Sequence, residues 1–276
     1  MKVRIISAII GASGLITIIA LSNFLPILIN IIIAIASIAC VIELLSANKM
    51  IKNFKMSVPS MLFAVTLPLI ITSFWKPLIL LYVMSLFIML LKYNKSITFN
   101  DIAFNFTTTS LISFGMSSIV LLCNTNAKLS IYYIVLALAV PWFADGGAYF
   151  VGSFLGKRKL CPKISPKKTV EGAIGGVLFG IITPIIVTLI FQTFYFDFSV
   201  KMNYIPMLVI GLIATVFSIV GDLSFSLIKR SCHVKDYGAL IPGHGGVLDR
   251  FDSVIFSTPV IYIFINYFPI LILEGV

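Results

Sequence analysis

Charged residues are scarce in this chain of 276 residues, where they make up 11% against about 25% in a typical soluble protein. Hydrophobic residues make up 59%, and several apolar runs reach the ~18 residues that a transmembrane helix needs. This composition argues against an ordinary soluble protein. It indicates a polytopic membrane protein.

Cysteine is also sparse, and its four residues are scattered along the chain. No CxxC pair or other metal-ligand spacing occurs among them, so we interpret them as structural or incidental thiols. The first apolar run leads directly into a second one, which argues against a cleaved signal peptide.

The formal net charge of +10 would suggest nucleic acid as a partner if the chain were soluble. Here the basic residues lie in short loops between apolar runs, where they orient a protein in its membrane. We therefore expect a lipid bilayer around the chain and no nucleic-acid partner.

Apolar run length predicts nine membrane-embedded helices in an all-α polytopic membrane fold. The predicted spans are 4–21, 25–46, 58–74, 77–92, 106–123, 130–154, 170–194, 204–228 and 251–273. If the N-terminus is cytoplasmic, 17 of the 20 Lys and Arg residues fall inside, and only Lys76, Lys128 and Lys201 fall outside. This bias predicts a cytoplasmic N-terminus and an outer C-terminus.

No internal repeat or linker divides the sequence, so we expect a single integral membrane domain over 1–276. Residues 1–129 contain only two acids, Glu43 and Asp101, and we expect these helices mainly to pack and to contact lipid. We expect residues 130–276 to supply the catalytic helices and the cytoplasmic loops.

The second half contains six acids that stand out, several of them within apparent spans: Asp145, Glu171, Asp222, Asp236, Asp249 and Asp252. A carboxylate inside a membrane helix costs about 3 kcal/mol or more, so it normally faces protein or a water-filled cavity. Helix direction and rise place Asp145, Asp222 and Asp249 at one depth in the cytoplasmic half. These acids predict a polar cavity that opens to the cytosol.

Two of these acids, Asp249 and Asp252, share one face at the start of the ninth helix. Paired carboxylates suit Mg²⁺, which binds a few of them together with substrate phosphates. As an alternative, they could be ordinary first-turn acids, but that leaves the alignment of three acids in depth unexplained. The eighth helix adds a polar stripe that contains Asp222, Ser226 and Lys229 at helical spacing.

Two loops have features of phosphate sites. Residues 242–246 form a glycine-rich turn before the ninth helix, although an ordinary re-entrant turn is an equal alternative. Residues 165–172 open the seventh helix with two lysines and hydroxyl groups. For Gly172, Gly176 and Gly180 we favour close helix packing over ligand contact. The residues alone indicate a membrane enzyme that handles phosphate groups with a divalent metal.

A family resemblance rests on several segments of the second half. They are Ser226–Arg230, Lys235–Gly238, Pro242–Ser253, Asp145–Tyr149, Ser165–Gly172 and Gly221–Asp222. Together they closely resemble the signature of the phosphatidate cytidylyltransferases, the CDP-diacylglycerol synthases. The resemblance is strong over 140–260, whereas the N-terminal half matches only as hydrophobic spans. Ser153 departs from the pattern, because a basic residue is expected there.

The resemblance implies that CTP reacts with phosphatidic acid to give CDP-diacylglycerol and pyrophosphate. It implies Mg²⁺ as cofactor, with a second cation as an option, and the metal ligands Asp222, Asp249 and Asp252. The implied catalytic residues are Asp145, Lys167, Lys168, Asp222, Lys229, Asp249 and Asp252. The implied substrate-binding residues are Ser165, Thr169, Ser226, Arg230, Lys235, Asp236, His244, Gly245, Gly246 and Arg250.

The resemblance also implies where the protein works. We expect it in the inner membrane with its active site on the cytoplasmic side, because CTP arrives from water while the diacyl tails stay in lipid. A homodimer is an open option.

Other functions remain as alternatives. A CTP-dependent enzyme could act on another lipid, as CDP-archaeol synthases and polyprenol kinases do. A cation or phosphate transporter would need polar residues through both membrane halves. CDP-alcohol phosphatidyltransferases also cluster aspartates, but Asp145–Tyr149 lacks the arginine of their motif.

Overall fold

The structure is a computed structural model that describes residues 27–52, 54–196, 200–241, 243 and 245–273. Within these residues the chain forms eight α-helices and four short strands. The helices are α1 (Ile27–Ala47), α2 (Phe54–Ile70), α3 (Trp75–Lys92), α4 (Phe99–Thr125), α5 (Ser130–Leu155), α6 (Val170–Phe194), α7 (Tyr204–Ser231) and α8 (Leu248–Tyr267). The strands are β1 (Lys159–Cys161), β2 (Ser165–Thr169), β3 (Val200–Met202) and β4 (Leu271–Leu273).

The helices correspond to the predicted spans from the second to the ninth, and the predicted span 4–21 lies outside the described residues. Among the described residues, six helices are long and apolar enough to cross a membrane. They are α1, α3, α4, α5 with its preceding turn, α6 and α7. The helix α2 is apolar but shorter, at 17 residues. The prediction of a helical, polytopic membrane protein is therefore confirmed.

The strands were not predicted, and one of them replaces the end of a predicted helix. The ninth span was predicted to reach residue 273, but α8 ends at Tyr267. Pro269 follows closely, and proline disfavours a helical conformation in the residue before it. The chain then continues as β4, which pairs antiparallel with β3 through Val200↔Leu273 and Met202↔Leu271.

The chain divides into two compact units. The first unit contains the N-terminal helices up to Leu121 together with Lys229–Phe251. The second contains Leu122–Ile228 and the chain from Asp252 onward. The segment 229–251, which contains Lys229 and Asp249, thus belongs to the same unit as the N-terminal helices.

Within the first unit, buried polar side chains join three helices. The Ser60 hydroxyl of α2 donates to Asn105 Oδ1 of α4 at 2.9 Å and lies 3.1 Å from the Tyr82 hydroxyl of α3. The Asn105 amide donates to the Met56 carbonyl at 3.3 Å. Such bonds satisfy polar groups that lipid cannot, so they help to specify how these helices pack.

Within the second unit, glycines let α5 and α6 approach closely. A Cβ added at Gly172 would lie 2.7 Å from the Ala148 carbonyl, and one at Gly176 would lie 2.9 Å from the Ala144 carbonyl. A Cβ at Gly180 would collide with Thr215 of α7. The prediction that these three glycines serve helix packing is confirmed.

Adjacent glycines of α5 provide a matched test of this packing. A Cβ at Gly147 would lie 2.5 Å from Cγ of Phe179, whereas one at Gly146 would meet nothing within 4 Å. We expect Gly147→Ala to lower the free energy of unfolding by about 1–3 kcal/mol through overpacking. Gly146→Ala should leave it unchanged or raise it by up to about 1 kcal/mol, because alanine favours the helix. Thermal unfolding in detergent measures both, and equal effects would contradict this packing.

Candidate functional site

The carboxylate of Asp249 lies at the centre of a charged cluster in the first unit. Lys229 Nζ donates to its Oδ1 at 2.9 Å, and the backbone N–H groups of Tyr237 and Gly246 donate to its Oδ2 at 2.9 and 3.0 Å. The Asp249 side chain is only 6% exposed and that of Lys229 is 12% exposed. The pair is thus largely shielded from water. In such surroundings a carboxylate depends on its cation and its hydrogen-bond donors for stabilisation.

The end of α7 places Lys229 for this contact. The N–H of Val234 donates to the Lys229 carbonyl at 3.0 Å, and the N–H of His233 donates to the Arg230 carbonyl at 3.1 Å. His233 has a φ of 58°, the left-handed conformation of a Schellman helix end. His233 therefore terminates the helix, which is a structural role.

A second acid, Glu43 of α1, lies in the same unit although the sequence indicated no chemistry for it. The N–H groups of Val247 and Leu248 donate to its two carboxylate oxygens at 3.0 and 2.8 Å. Glu43 is 4% exposed. Its only signal in the sequence is that it is an acid in an otherwise apolar span.

In the second unit, Asp222 of α7 forms an ion pair with Lys168 of β2. The Ser226 hydroxyl, one helical turn further along α7, donates to Asp222 Oδ1 at 3.4 Å. The side chains of Lys168 and Asp222 are 28% and 22% exposed, so water reaches this pair. The predicted stripe of Asp222 and Ser226 does lie on one face of the helix.

A second contact in this unit joins α5 to α8. The Ser253 hydroxyl donates to Asp145 Oδ2 at 2.9 Å. The neighbouring Asp252 is buried at 6% exposure, and its Oδ1 accepts the N–H of Ser253 at 2.8 Å. Asp145 and Asp252 thus both have polar contacts that involve Ser253.

The basic segment before α6 forms the β1–β2 pair. Two polar side chains, those of Thr169 and Glu171, connect this pair to the helix. The Thr169 hydroxyl accepts the N–H of Gly172 at 3.1 Å and so caps α6. Glu171 accepts the N–H groups of Lys157 and Arg158 at about 3 Å. These contacts fix β2, which carries Ser165, Lys167 and Lys168.

The remaining predicted site residues differ in exposure. Gly246 is buried, Gly245 is half-buried, and four charged residues are exposed. The exposed ones are Arg230, Lys235, Asp236 and Arg250. His244 lies outside the described residues.

Each unit therefore brings a lysine and a carboxylate together, and in neither unit do the described residues place three metal-ligating side chains in one group. Carboxylate and backbone oxygens next to ammonium groups can hold a phosphate-bound cation, because Mg²⁺ needs only one or two carboxylates when phosphates and water supply its other ligands. That the predicted acids act together in one pocket stays a prediction.

Comparison with known proteins gives one consistent result. The model of the cytidylyltransferase family matches residues 2–268. The phosphatidate cytidylyltransferase of Staphylococcus aureus strain COL is 36% identical over 279 residues, which cover 95% of this chain and 98% of that protein. That of Staphylococcus saprophyticus is 33% identical over 272 residues with the same coverage. The one from Bacillus subtilis strain 168 is 36% identical over 175 residues, or 63% of this chain and 62% of that protein.

A double-mutant cycle tests the Lys168–Asp222 pair. Lys168→Met and Asp222→Asn should each lower the unfolding free energy, and the double variant should lose about 1 kcal/mol less than the sum, because each single change leaves one charge unpaired. Lys163→Met removes an exposed lysine from the turn between β1 and β2 and should be additive with Asp222→Asn. Thermal unfolding measures all of these variants, and an additive Lys168–Asp222 pair would contradict the contact.

Proposed function

Because the chain belongs to the cytidylyltransferase family, we propose that it transfers the cytidylyl group of CTP to phosphatidic acid. The products are CDP-diacylglycerol and pyrophosphate, and the activity serves phospholipid biosynthesis in a membrane. One observation carries this proposal: relatives named phosphatidate cytidylyltransferase align with 95% of the chain.

The reaction requires one bond to form and one to break at phosphorus. A phosphate oxygen of phosphatidic acid attacks the α-phosphorus of CTP, and the bond from that phosphorus to the bridging oxygen of the β-phosphate breaks. Pyrophosphate leaves with that oxygen. The main tasks of the protein are positioning and charge neutralisation, and no covalent protein nucleophile is needed.

The acids supply the oxygen ligands that Mg²⁺ prefers. We assign Asp222, Asp249 and Asp252 to magnesium, with Asp145 as a residue that completes a cation site or orients a lysine. A small number of carboxylates suits a metal whose other ligands are phosphate and water. When bound, Mg²⁺ would neutralise triphosphate charge and the charge that develops on the leaving group.

The lysines have two tasks in this proposal. Lys168 and Lys229 each hold an acid, and an ammonium group has three N–H donors, so each can also donate to a phosphate oxygen. Lys167 lies exposed on β2, and its exposed ammonium group suits it to bind the negatively charged substrates. The hydroxyls of Ser165 and Thr169 would donate to the same phosphates. Arg230, Lys235, Asp236, Arg250 and the glycine-rich turn with His244, Gly245 and Gly246 would surround the substrates.

The proposed arrangement in the membrane rests on the distribution of basic residues and on the nature of the substrates. We propose nine spans with a cytoplasmic N-terminus and an outer C-terminus, in the inner membrane. The active site then lies on the cytoplasmic side, since 17 of the 20 Lys and Arg residues fall there and CTP is soluble. The partners are CTP, phosphatidic acid and the bilayer, without nucleic acid, and self-association into a homodimer is compatible with this arrangement.

The reaction is tested by acceptor choice at fixed CTP. Purified protein in detergent with Mg²⁺ should release pyrophosphate when phosphatidic acid is added and should form CDP-diacylglycerol in equal amount. A polyprenol acceptor should give no product. Release of CDP with polyprenol, or no pyrophosphate with phosphatidic acid, would reject the proposed function.

The metal assignment is tested at Asp249. Asp249→Asn should lower pyrophosphate release by 100-fold or more, on the order of 3 kcal/mol of transition-state stabilisation, because the amide is a poor ligand for Mg²⁺. Asp101→Asn removes an acid outside the proposed site and should retain turnover. Melting temperature separates lost chemistry from lost fold. Near-normal turnover of Asp249→Asn would remove this residue from the metal site.

A further inference from the structure

Glu43 has contacts that the reaction as proposed does not use. It comes from α1, yet its carboxylate accepts hydrogen bonds from the N–H groups of Val247 and Leu248, which lie 204 and 205 residues away in the sequence. It is buried at 4% exposure. A buried carboxylate is costly unless donors compensate it, so these two bonds are specific features of the structure.

The two donors lie at the beginning of α8. The first N–H groups of a helix have no acceptor within the helix, and the helix dipole favours negative charge at this end. In most helices a side chain near the helix start supplies the acceptor. Here the acceptor is Glu43, from another helix, so the start of α8 is fixed by tertiary structure.

The glycines around Glu43 support the same conclusion. A Cβ at Gly238 would lie 2.5 Å from Glu43 Oε1, and one at Gly246 would collide with Oε2. Among the described glycines, Gly243 and Gly245 have a positive φ, whereas Gly238 and Gly246 do not. Space for the Glu43 carboxylate, and not an unusual backbone conformation, therefore explains why these two positions lack a side chain.

Glu43 and Asp249 hold the same turn through neighbouring amides. The N–H of Gly246 donates to Asp249, and the next two N–H groups donate to Glu43. Without Glu43, the amides of Val247 and Leu248 would lose their acceptor beside the residue that binds Lys229. The direction of the Asp249 carboxylate thus depends on both attachments of the turn.

We propose that Glu43 is a positioning residue of the transfer reaction: it fixes the turn before α8 and thereby aligns Asp249 and Lys229. This role rests on the proposed function and adds an N-terminal helix to the residues on which the reaction depends. Glu43 acts through the turn and touches neither substrate.

The first test compares Glu43→Gln and Glu43→Asp with Asp101→Asn. Asp101 is the other acid of the first 140 residues and is half-buried. Its Oδ2 accepts local hydrogen bonds from the backbone N–H and the hydroxyl of Thr98 at 2.9 and 2.7 Å. We expect Glu43→Gln to lower kcat about 100-fold with a small change in the KM for CTP, since displacement of a catalytic group by about 1 Å has that effect. Glu43→Asp should recover part of kcat because it keeps the charge. Asp101→Asn should retain kcat.

A purely structural role predicts a different pattern. Glu43→Gln would then lower the melting temperature and the yield of folded protein, but folded protein would keep its kcat. That result would overturn the proposal.

The second test uses the glycine contact. Gly246→Ala alone should reduce kcat, because its methyl group would displace the Glu43 carboxylate. In a Glu43→Ala background the space is open, so Gly246→Ala should cause little further loss, and the two effects should be strongly non-additive. Additive losses would contradict the assigned contact.

The third test does not require turnover. Hydrogen exchange of the peptide that carries the amides of Gly246, Val247 and Leu248 should be faster in Glu43→Gln than in wild type and unchanged in Asp101→Asn. Unchanged exchange in Glu43→Gln would reject the positioning role. A wild-type protein that releases no pyrophosphate would instead reject the proposed function while leaving the exchange result intact.

Discussion

The structure depends on one electrostatic constraint: a carboxylate among apolar helices needs a partner for its charge. Asp249 takes Lys229 and Asp222 takes Lys168. Glu43 instead accepts hydrogen bonds from two backbone amides at the start of α8. The contacts of Asp222 and Glu43 link segments that are 54 and 204 residues apart, so pairing the charges also determines how the chain is assembled within each unit.

The turn before α8 illustrates how this constraint shapes a segment that we propose to serve the reaction. The carboxylates of Glu43 and Asp249 both contact this turn. Glycine is required at Gly238 and Gly246 because a Cβ there would occupy the space of a Glu43 oxygen atom. Cytidylyl transfer needs no covalent protein nucleophile, so its rate depends on how well charged groups are positioned. A turn held by several hydrogen bonds meets that need.

Much of the fold could be predicted because membrane helices are defined by local composition. The predicted span 170–194 coincides with Val170–Phe194, and the other helices that are described lie within a few residues of their predicted bounds at most ends. The prediction was wrong at the end of α8, where Pro269 stops the helix and β4 pairs with β3. Strand pairing joins residues about 70 positions apart, which no local pattern reveals.

The sequence by itself determined the membrane class, the helices and the family signature, because each depends on residue type and short spacing. Only the tertiary structure decided which partner each acid takes. Asp222 and Lys168 are 54 residues apart, and Glu43 and Val247 are 204 apart. Such contacts arise when helices pack, and a lone acid in an apolar span carries no local sign of the amide that it will accept.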